Sequence, residues 1–264
     1  YSMVGGIPAV VKADANGESP KDCREMQRDL LATFRADFAK YSGRMNRDFL
    51  DLTLAQVAGA VGQKFVYSRV GEGVKAHQAK RALELLCSAR LCHNVFGTSA
   101  NSLPLGGQKR PKFRKVILAD VGLLHALIGT PATSAFPGNS ELAPTVRGQV
   151  AEQLAGQQLI GETSGDGPEL FYWQRQGGRP GEVDYIAQIG TQIIPIEIKS
   201  GSSGAMKGLH QFMFDKNLKR AVRCDFNPPS EMTVDVSTTQ GNPVKYDMLN
   251  LPLYLIWNLP SILA

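Results

Sequence analysis

Two short runs, Glu182-Val183-Asp184 and Ile196-Glu197-Ile198-Lys199, hold the residue types that hydrolyse a phosphodiester. Read as neighbouring strands, they obey a period of two: Ile194, Ile196 and Ile198 share one face, and Pro195, Glu197 and Lys199 share the other. The apolar face is then core, and the charged face opens to a cleft or to solvent. Gly190-Thr191 between the runs suits a two-residue type II′ turn with glycine first, which pairs Ile189 with Gln192. Continuing that register outward sets Asp184 opposite Glu197 and Glu182 opposite Lys199, with opposed Cβ atoms about 5 Å apart. Facing carboxylates repel, and a hard divalent cation such as Mg²⁺ or Mn²⁺, held by Asp184 and Glu197, offsets the repulsion. Lys199 beside it would orient a water nucleophile and stabilise the charge of a pentavalent phosphate. The competing reading is structural: Glu182 and Lys199 form an ion pair, and Asp184 caps a turn.

Further residues could extend such a site. Glu152 stands on a helix-patterned segment, where the alternative is a solvated face. Lys109, Arg110, Lys112, Arg114 and Lys115 crowd one short stretch. They read either as a loop gripping nucleic-acid phosphates or as an edge strand kept soluble by charge. Arg175 and Arg179 flank the acidic runs, and Gln211 follows them. The four histidines, His77, His93, His125 and His210, show no ligand or triad spacing, and no G-x-S-x-G nucleophile motif occurs. No G-x-x-x-x-G-K-[ST] phosphate loop occurs either.

The elements that must position these groups are legible in the apolar spacing. A helix is expected over 20–41, with Ser19 as cap, Pro20 in the first turn, one face of Met26, Leu30, Leu31, Phe34 and Phe38, and Gly43 as its stop. Helices follow over 47–61 and 75–89, then strands over 91–96 and 113–118 about a Gly- and Pro-rich loop. Helices followed by a hairpin describe a winged helix, with residues 109–115 as the wing. A short helix over 120–129 precedes a Pro-, Ser- and Gly-rich stretch, 130–144, read as a boundary. The second half reads as helix 145–160, strands 170–174, 182–189 and 192–199, helix 206–218 and strand 220–226. The terminal stretch 251–264 is apolar but broken by Pro252 and Pro260, and reads as a packed terminal element.

Composition fits this outline. A chain of 264 residues, 43% hydrophobic and 20% charged, forms one large or two ordinary domains. Its net charge of +5 is compatible with a polyanionic partner such as DNA. Four cysteines, none in a C-x-x-C pair, point to a reducing, cytoplasmic setting. No apolar run approaches a membrane span and no signal peptide opens the chain. The opening at Tyr1 suggests a fragment of a longer protein.

Val183-Asp184 followed by Glu197-Ile198-Lys199 resembles the PD-(D/E)XK nuclease signature, with Val183 in place of the usual proline. Glu152, within Arg147-Gly148-Gln149-Val150-Ala151-Glu152, matches the acidic residue on that superfamily's first core helix, and Gln211 a polar position that sometimes assists. Nearly the whole chain resembles the uncharacterised C-terminal region that follows the AAA-type ATPase module in many bacterial and archaeal ATPases. Gly5-Gly6-Ile7-Pro8, Asp37-Phe38-Ala39-Lys40-Tyr41, Phe171-Tyr172-Trp173-Gln174-Arg175, Glu182-Val183-Asp184-Tyr185 and Pro195-Ile196-Glu197-Ile198-Lys199-Ser200-Gly201 carry that likeness. The resemblance implies an α/β architecture: a helical tail of an ATPase module over 1–44, a winged helix over 45–130, a linker over 131–144, and a restriction-endonuclease-like domain with a central mixed sheet over 145–264. The expected function is a Mg²⁺-dependent nuclease region of an ATPase, DNA-directed. The alternative is a regulatory or partner-docking module with a vestigial nuclease fold.

Overall fold

The computed structural model describes residues 1–41, 46–132, 142–162, 169–177, 181–201 and 204–263. Gly43, Arg179 and most of the expected linker, 133–141, lie outside the described residues. The chain divides into two compact units, Tyr1–Asn94 with Lys115–Gln157, and Val95–Arg114 with Gln158–Ala264.

The first unit is helical at its centre. Helix α1 (Pro8–Ala15), which the apolar spacing does not announce, starts on a proline, whose missing N–H costs nothing in a first turn. Helix α2 (Pro20–Tyr41) begins where expected. The Ser19 hydroxyl accepts from Asp22 N at 3.2 Å while the Asp22 carboxylate accepts from Ser19 N and Oγ, a reciprocal cap. Helix α3 (Arg47–Gly59) is capped by Asn46, and its Leu50, Leu54 and Val57 turn inward. Helix α4 (Ala76–Ser88) buries Ala79, Ala82, Leu83 and Leu86, as their spacing predicts. Helix α5 (Val121–Ile128) is capped by Asp120 and closed by left-handed Gly129. Asp120 also ties down the N-terminal segment, because its carboxylate accepts from Gly6 N at 2.6 Å. Gly5, at φ +80°, passes so close that a Cβ there would lie 2.1 Å from Asp120 Oδ1, which accounts for the Gly-Gly pair.

His125 on α5 is fully buried, with Nε2 2.9 Å from the Ser2 carbonyl. Burial drives its pKa down to about 4, helped by the nearby Arg24 charge and opposed by the Ser2 hydrogen bond. The folded protein therefore holds fewer protons than the unfolded chain between the ordinary imidazole value and about 4. The stability contributed by neutral His125 is complete above about pH 6.5 and falls as pH drops toward 4, by roughly 3 kcal/mol at most. Urea titrations from pH 7 to 4 will show this loss, and His125→Gln will flatten it.

Eight strands form one mixed sheet: β1 (Cys92–Thr98), β2 (Lys109–Leu118), β3 (Leu170–Gln174), β4 (Glu182–Ile189), β5 (Gln192–Ile198), β6 (Arg220–Asp225), β7 (Ser230–Ser237) and β8 (Pro243–Pro252). Their order is β2-β1-β3-β4-β5-β6-β8-β7. The hairpin expected to be a wing is built into this sheet. A wing leaves its second strand edge to solvent, whereas β1 pairs in parallel with β3 through Val95↔Leu170, Phe96↔Phe171 and Gly97↔Tyr172. Two strands lie beyond those expected from the sequence: β7 and β8 follow β6 and pair antiparallel along their whole length.

In the second unit helix α7 (Lys207–Lys216) lays Leu209, Phe212 and Met213 on Trp173, Val183, Ile186, Tyr246 and Met248. A 3₁₀ turn at Leu253–Asn258 and helix α8 (Leu259–Leu263) bury Leu253, Ile256 and Leu259, so the apolar C-terminal stretch is a packed terminal element. Among the described residues no helix is long and apolar enough to cross a membrane.

Helix α7 approaches the sheet through Gly208, where a Cβ would stand 2.2 Å from the Glu182 carbonyl oxygen. Two backbones cannot part here without moving α7 off its core. Gly208→Ala is therefore expected to destabilise the protein by about 1–3 kcal/mol, read from the denaturation midpoint.

Candidate functional site

The turn at Gly190-Thr191 forms with Gly190 at φ +56°, and the ladder runs Ile189↔Gln192, Gln188↔Ile193, Ala187↔Ile194, Ile186↔Pro195 and Tyr185↔Ile196. This is the register deduced from the two-residue turn. One more step would oppose Asp184 and Glu197, but the paired ladder ends at Tyr185. On its other side β4 pairs with β3 as Phe171↔Ile186 and then Trp173↔Val183, so β4 spends one residue more than β3 across this interval. The extra residue is a β-bulge at Asp184-Tyr185, a feature that bends a strand and re-aims a side chain. Past the bulge the Asp184 carboxylate, not a backbone carbonyl, accepts the Ile198 N–H at 2.8 Å. The following amide, Lys199 N, donates to Cys224 O on β6 at 2.8 Å. The Asp184 carboxylate thus takes the place of a ladder bond at the C-terminal end of β5.

Glu197 and Lys199 meet there. Lys199 Nζ donates to Glu197 Oε1 at 2.6 Å, with side-chain exposures of 19% and 9%. Lys199 runs beside Gly204, whose absent Cβ would stand 3.0 Å from Lys199 Cδ. Glu182 and Asp184 offer carboxylate oxygens within 4.8 Å of one another. The expected ion pair of Glu182 with Lys199 is therefore not the arrangement found for Lys199, whose partner is Glu197.

The charged face of β5 is not open, contrary to the expectation from its alternation. Ile194, Pro195, Ile196, Glu197 and Ile198 are all buried, and Glu197 is only 7% exposed. Both sets of alternating side chains on β5 are therefore enclosed, as in a strand buried on its two faces. An ionised group at such a depth requires a charged or strongly polar partner, and Lys199 supplies one.

Neighbouring polar groups on β6 and β8, none of them singled out from the sequence, adjoin this corner. Glu197 aligns with Arg223, and Arg223 with Asn250. Arg223 bridges to the fully buried Asp225 at 2.9 Å, and Asn227 N, Asn227 Nδ2 and Asn250 Nδ2 also donate to that carboxylate. The period-two spacing of Arg223 and Asp225 within an apolar strand is the signal that could have found them. Tyr246 and His210 share a 2.9 Å hydrogen bond. Burial, then the charge of Glu197, pushes the Tyr246 phenol pKa up, and burial pushes the His210 pKa down.

Glu152 belongs to the first unit, on helix α6 (Pro144–Glu162), where Lys115 Nζ donates to both its oxygens at 3.2 and 3.4 Å. Lys115 is only 2% exposed, so it is withdrawn from the surface expected of a phosphate contact. The rest of that basic run lies on β2. Lys109 stands 3.8 Å over the Phe96 ring and pairs with Glu169, and Arg114 donates to Pro111 O. Lys112 is exposed and Arg110 half-buried. Gln211 is buried and donates to Asp215 at 2.8 Å, and Arg175 is half-buried with its N–H on Gly181 O.

Residues 147–240 match the model of the family Domain of unknown function (DUF4143). The chain is 25% identical over 220 residues to "Uncharacterized protein Mb2031c" of Mycobacterium bovis and, equally, to "Uncharacterized protein Rv2008c" of Mycobacterium tuberculosis. Each alignment covers 82% of this chain and 46% of the relative, so the chain spans about half the length of these relatives. No solved structure matches it. The model of the family Domain of unknown function (DUF8612) matches residues 1–134, just over half of the 264-residue chain, and to that family the protein belongs.

Proposed function

We propose that the corner formed by Asp184, Glu197 and Lys199 is a divalent-metal-dependent phosphodiesterase site acting on nucleic acid. The observation that carries this reading is the bulge that turns the Asp184 carboxylate onto the end of β5, beside the Glu197–Lys199 pair. The donor set suits a hard cation: Glu182 and Asp184 offer carboxylate oxygens within 4.8 Å of one another, and such ions prefer oxygen ligands. Asp184 and Glu197 would hold Mg²⁺ or Mn²⁺, with Glu182 adjoining. When bound, the ion would supply Lewis-acid polarisation of a phosphate oxygen and an acidified water.

The chain's own groups would do the rest. The Lys199 ammonium, kept in place by Glu197 and by the space beside Gly204, would neutralise charge developing on the phosphorane oxygens. Surrounding apolar strands restrict water and strengthen that interaction. Lys109, Arg110, Lys112 and Arg114 on β2 would contact phosphates, with DNA as the partner. In keeping with the sequence resemblance, the helical first half and the nuclease-like second half would serve an AAA-type ATPase module of a longer protein.

A second reading has one observation in its favour. Glu197 is buried and already bonded to Lys199, and Asp184 already accepts the Ile198 N–H, so the charges also satisfy one another as a structural cluster. The region would then be a regulatory or docking module with a vestigial nuclease fold.

Titration calorimetry with Mn²⁺ separates the two. The nuclease reading expects binding by this chain and its loss in Asp184→Asn. Heat absent from both proteins up to millimolar metal would leave the docking reading. Two substitutions then address Lys199 in cleavage assays on single- and double-stranded DNA and RNA. Lys199→Met is expected to slow cleavage by about a hundredfold or more. Gly204→Ala, which crowds the Lys199 stem and leaves every carboxylate in place, is expected to slow it by about tenfold, close to 1.4 kcal/mol of barrier, with Mn²⁺ affinity unchanged. A Lys199→Met variant as fast as the parent would remove the lysine from the mechanism.

A further inference from the structure

The sheet ends at β7, and among the described residues no strand pairs with its outer side. The strand Ser230–Ser237 contains no proline, no lysine and no bulge against β8, and every residue but Val234 is exposed. Met232 and Val236, at 53% and 37% exposure, are large apolar groups standing on the outermost strand. Natural edges of this length normally carry a charge pointing inward, a proline or a covering element.

The residues on β7 make it complementary to itself. Met232, Val234 and Val236 lie on one face, paired with Met248, Tyr246 and Val244 of β8. That is the face of the core cluster that contains Val234, Tyr246 and Met248. Glu231, Thr233, Asp235 and Ser237 lie on the other. In an antiparallel pair, opposed residues alternate between hydrogen-bonded and non-hydrogen-bonded sites. A two-fold axis must map each site onto one of its own kind, so it passes through a pair of identical residues. The two longest overlaps that satisfy this centre on Thr233 or on Val234. Centring on Thr233 sets Glu231 opposite Asp235 of the other copy, twice, and like charges directly opposed are unfavourable. Centring on Val234 sets Val234 against itself, Met232 against Val236, Thr233 against Asp235 and Glu231 against Ser237. No charges of one sign are then directly opposed. Three apolar rungs run unbroken across the junction, the middle one Tyr246, Val234, Val234 and Tyr246.

We propose that β7 is a homodimerisation edge, joined to β7 of a second copy about a two-fold axis at Val234, so that the two sheets become one. The occupant is a second copy because, about Val234, apolar residues meet apolar ones and each carboxylate meets a hydroxyl: Glu231 faces Ser237 and Asp235 faces Thr233. Paired strands alone bury less than the area of a standard stable interface, so association is concentration-dependent.

The test is light scattering after size exclusion over a range of protein concentrations. The expected result is a mass rising from 28.6 kDa toward twice that value at the highest concentrations. Met232→Lys and Val236→Lys replace exposed side chains, and each should hold the protein at monomer mass with unchanged circular dichroism. The register has its own readout. The double variant Glu231→Cys with Ser237→Cys should form covalent dimers on oxidation, and Glu231→Cys with Asp235→Cys should not. A monomer at every concentration, a dimer indifferent to both lysine variants, or the reverse pattern of crosslinking would overturn the proposal.

Discussion

The two residues at Gly190-Thr191 govern the candidate site more than any acidic group does. Only a loop that short fixes which residue of β4 faces which residue of β5, and a slip of one would move every side chain to the opposite face. Gly190 adopts the positive φ that this turn requires. With Ile189 locked to Gln192, four further pairs follow, and Asp184 arrives just past the end of the ladder. The bulge then turns a regular position into a special one. A carboxylate that would have projected straight from the sheet instead closes on the backbone of β5. A local backbone rule thus decides the placement of chemistry six residues away.

Much of this could be read from residue order. The strands β3, β4 and β5, the helix α7, the cap at Ser19 and the hairpin register all follow from short-range patterns: period two, period 3.6, a glycine at a turn, a serine before a proline. What escaped was non-local. The bulge exists only relative to β3, which no pattern within β4 reveals. The burial of Glu197 depends on tertiary neighbours that no pattern within β5 announces. The hairpin expected as a wing is present, but its outer pairing with β3 joins segments more than seventy residues apart. β7 and β8 are a different case. Their alternation, Met232, Val234, Val236 and Val244, Tyr246, Met248, is as regular as that of β5, so the signal for them was local and available.

Charge at depth shapes both units. Lys115 with Glu152, Glu197 with Lys199 and Asp225 with Arg223 each remove ions from water, and each requires its partner to remain. Such pairs add little net stability over apolar residues of the same size, but they make alternatives expensive. A mispaired strand would leave a charge alone in the core. The polar corner at the ends of β5 and β6 thus penalises arrangements that would separate these pairs, whatever chemistry it serves.

The two ends of the sheet are finished differently. At β2 the Gln153 side chain, wholly buried, donates to Leu118 O at 2.7 Å and accepts from Leu118 N at 2.8 Å. A single amide imitates one residue of an adjoining strand and satisfies both backbone groups of Leu118, the last residue of β2. At β7 there is no such plug among the described residues. An open margin that joins its own copy about a two-fold axis is used up in the act, because each molecule spends its free strand on the other. The dimer proposed at β7 would therefore close on itself rather than add molecules without limit.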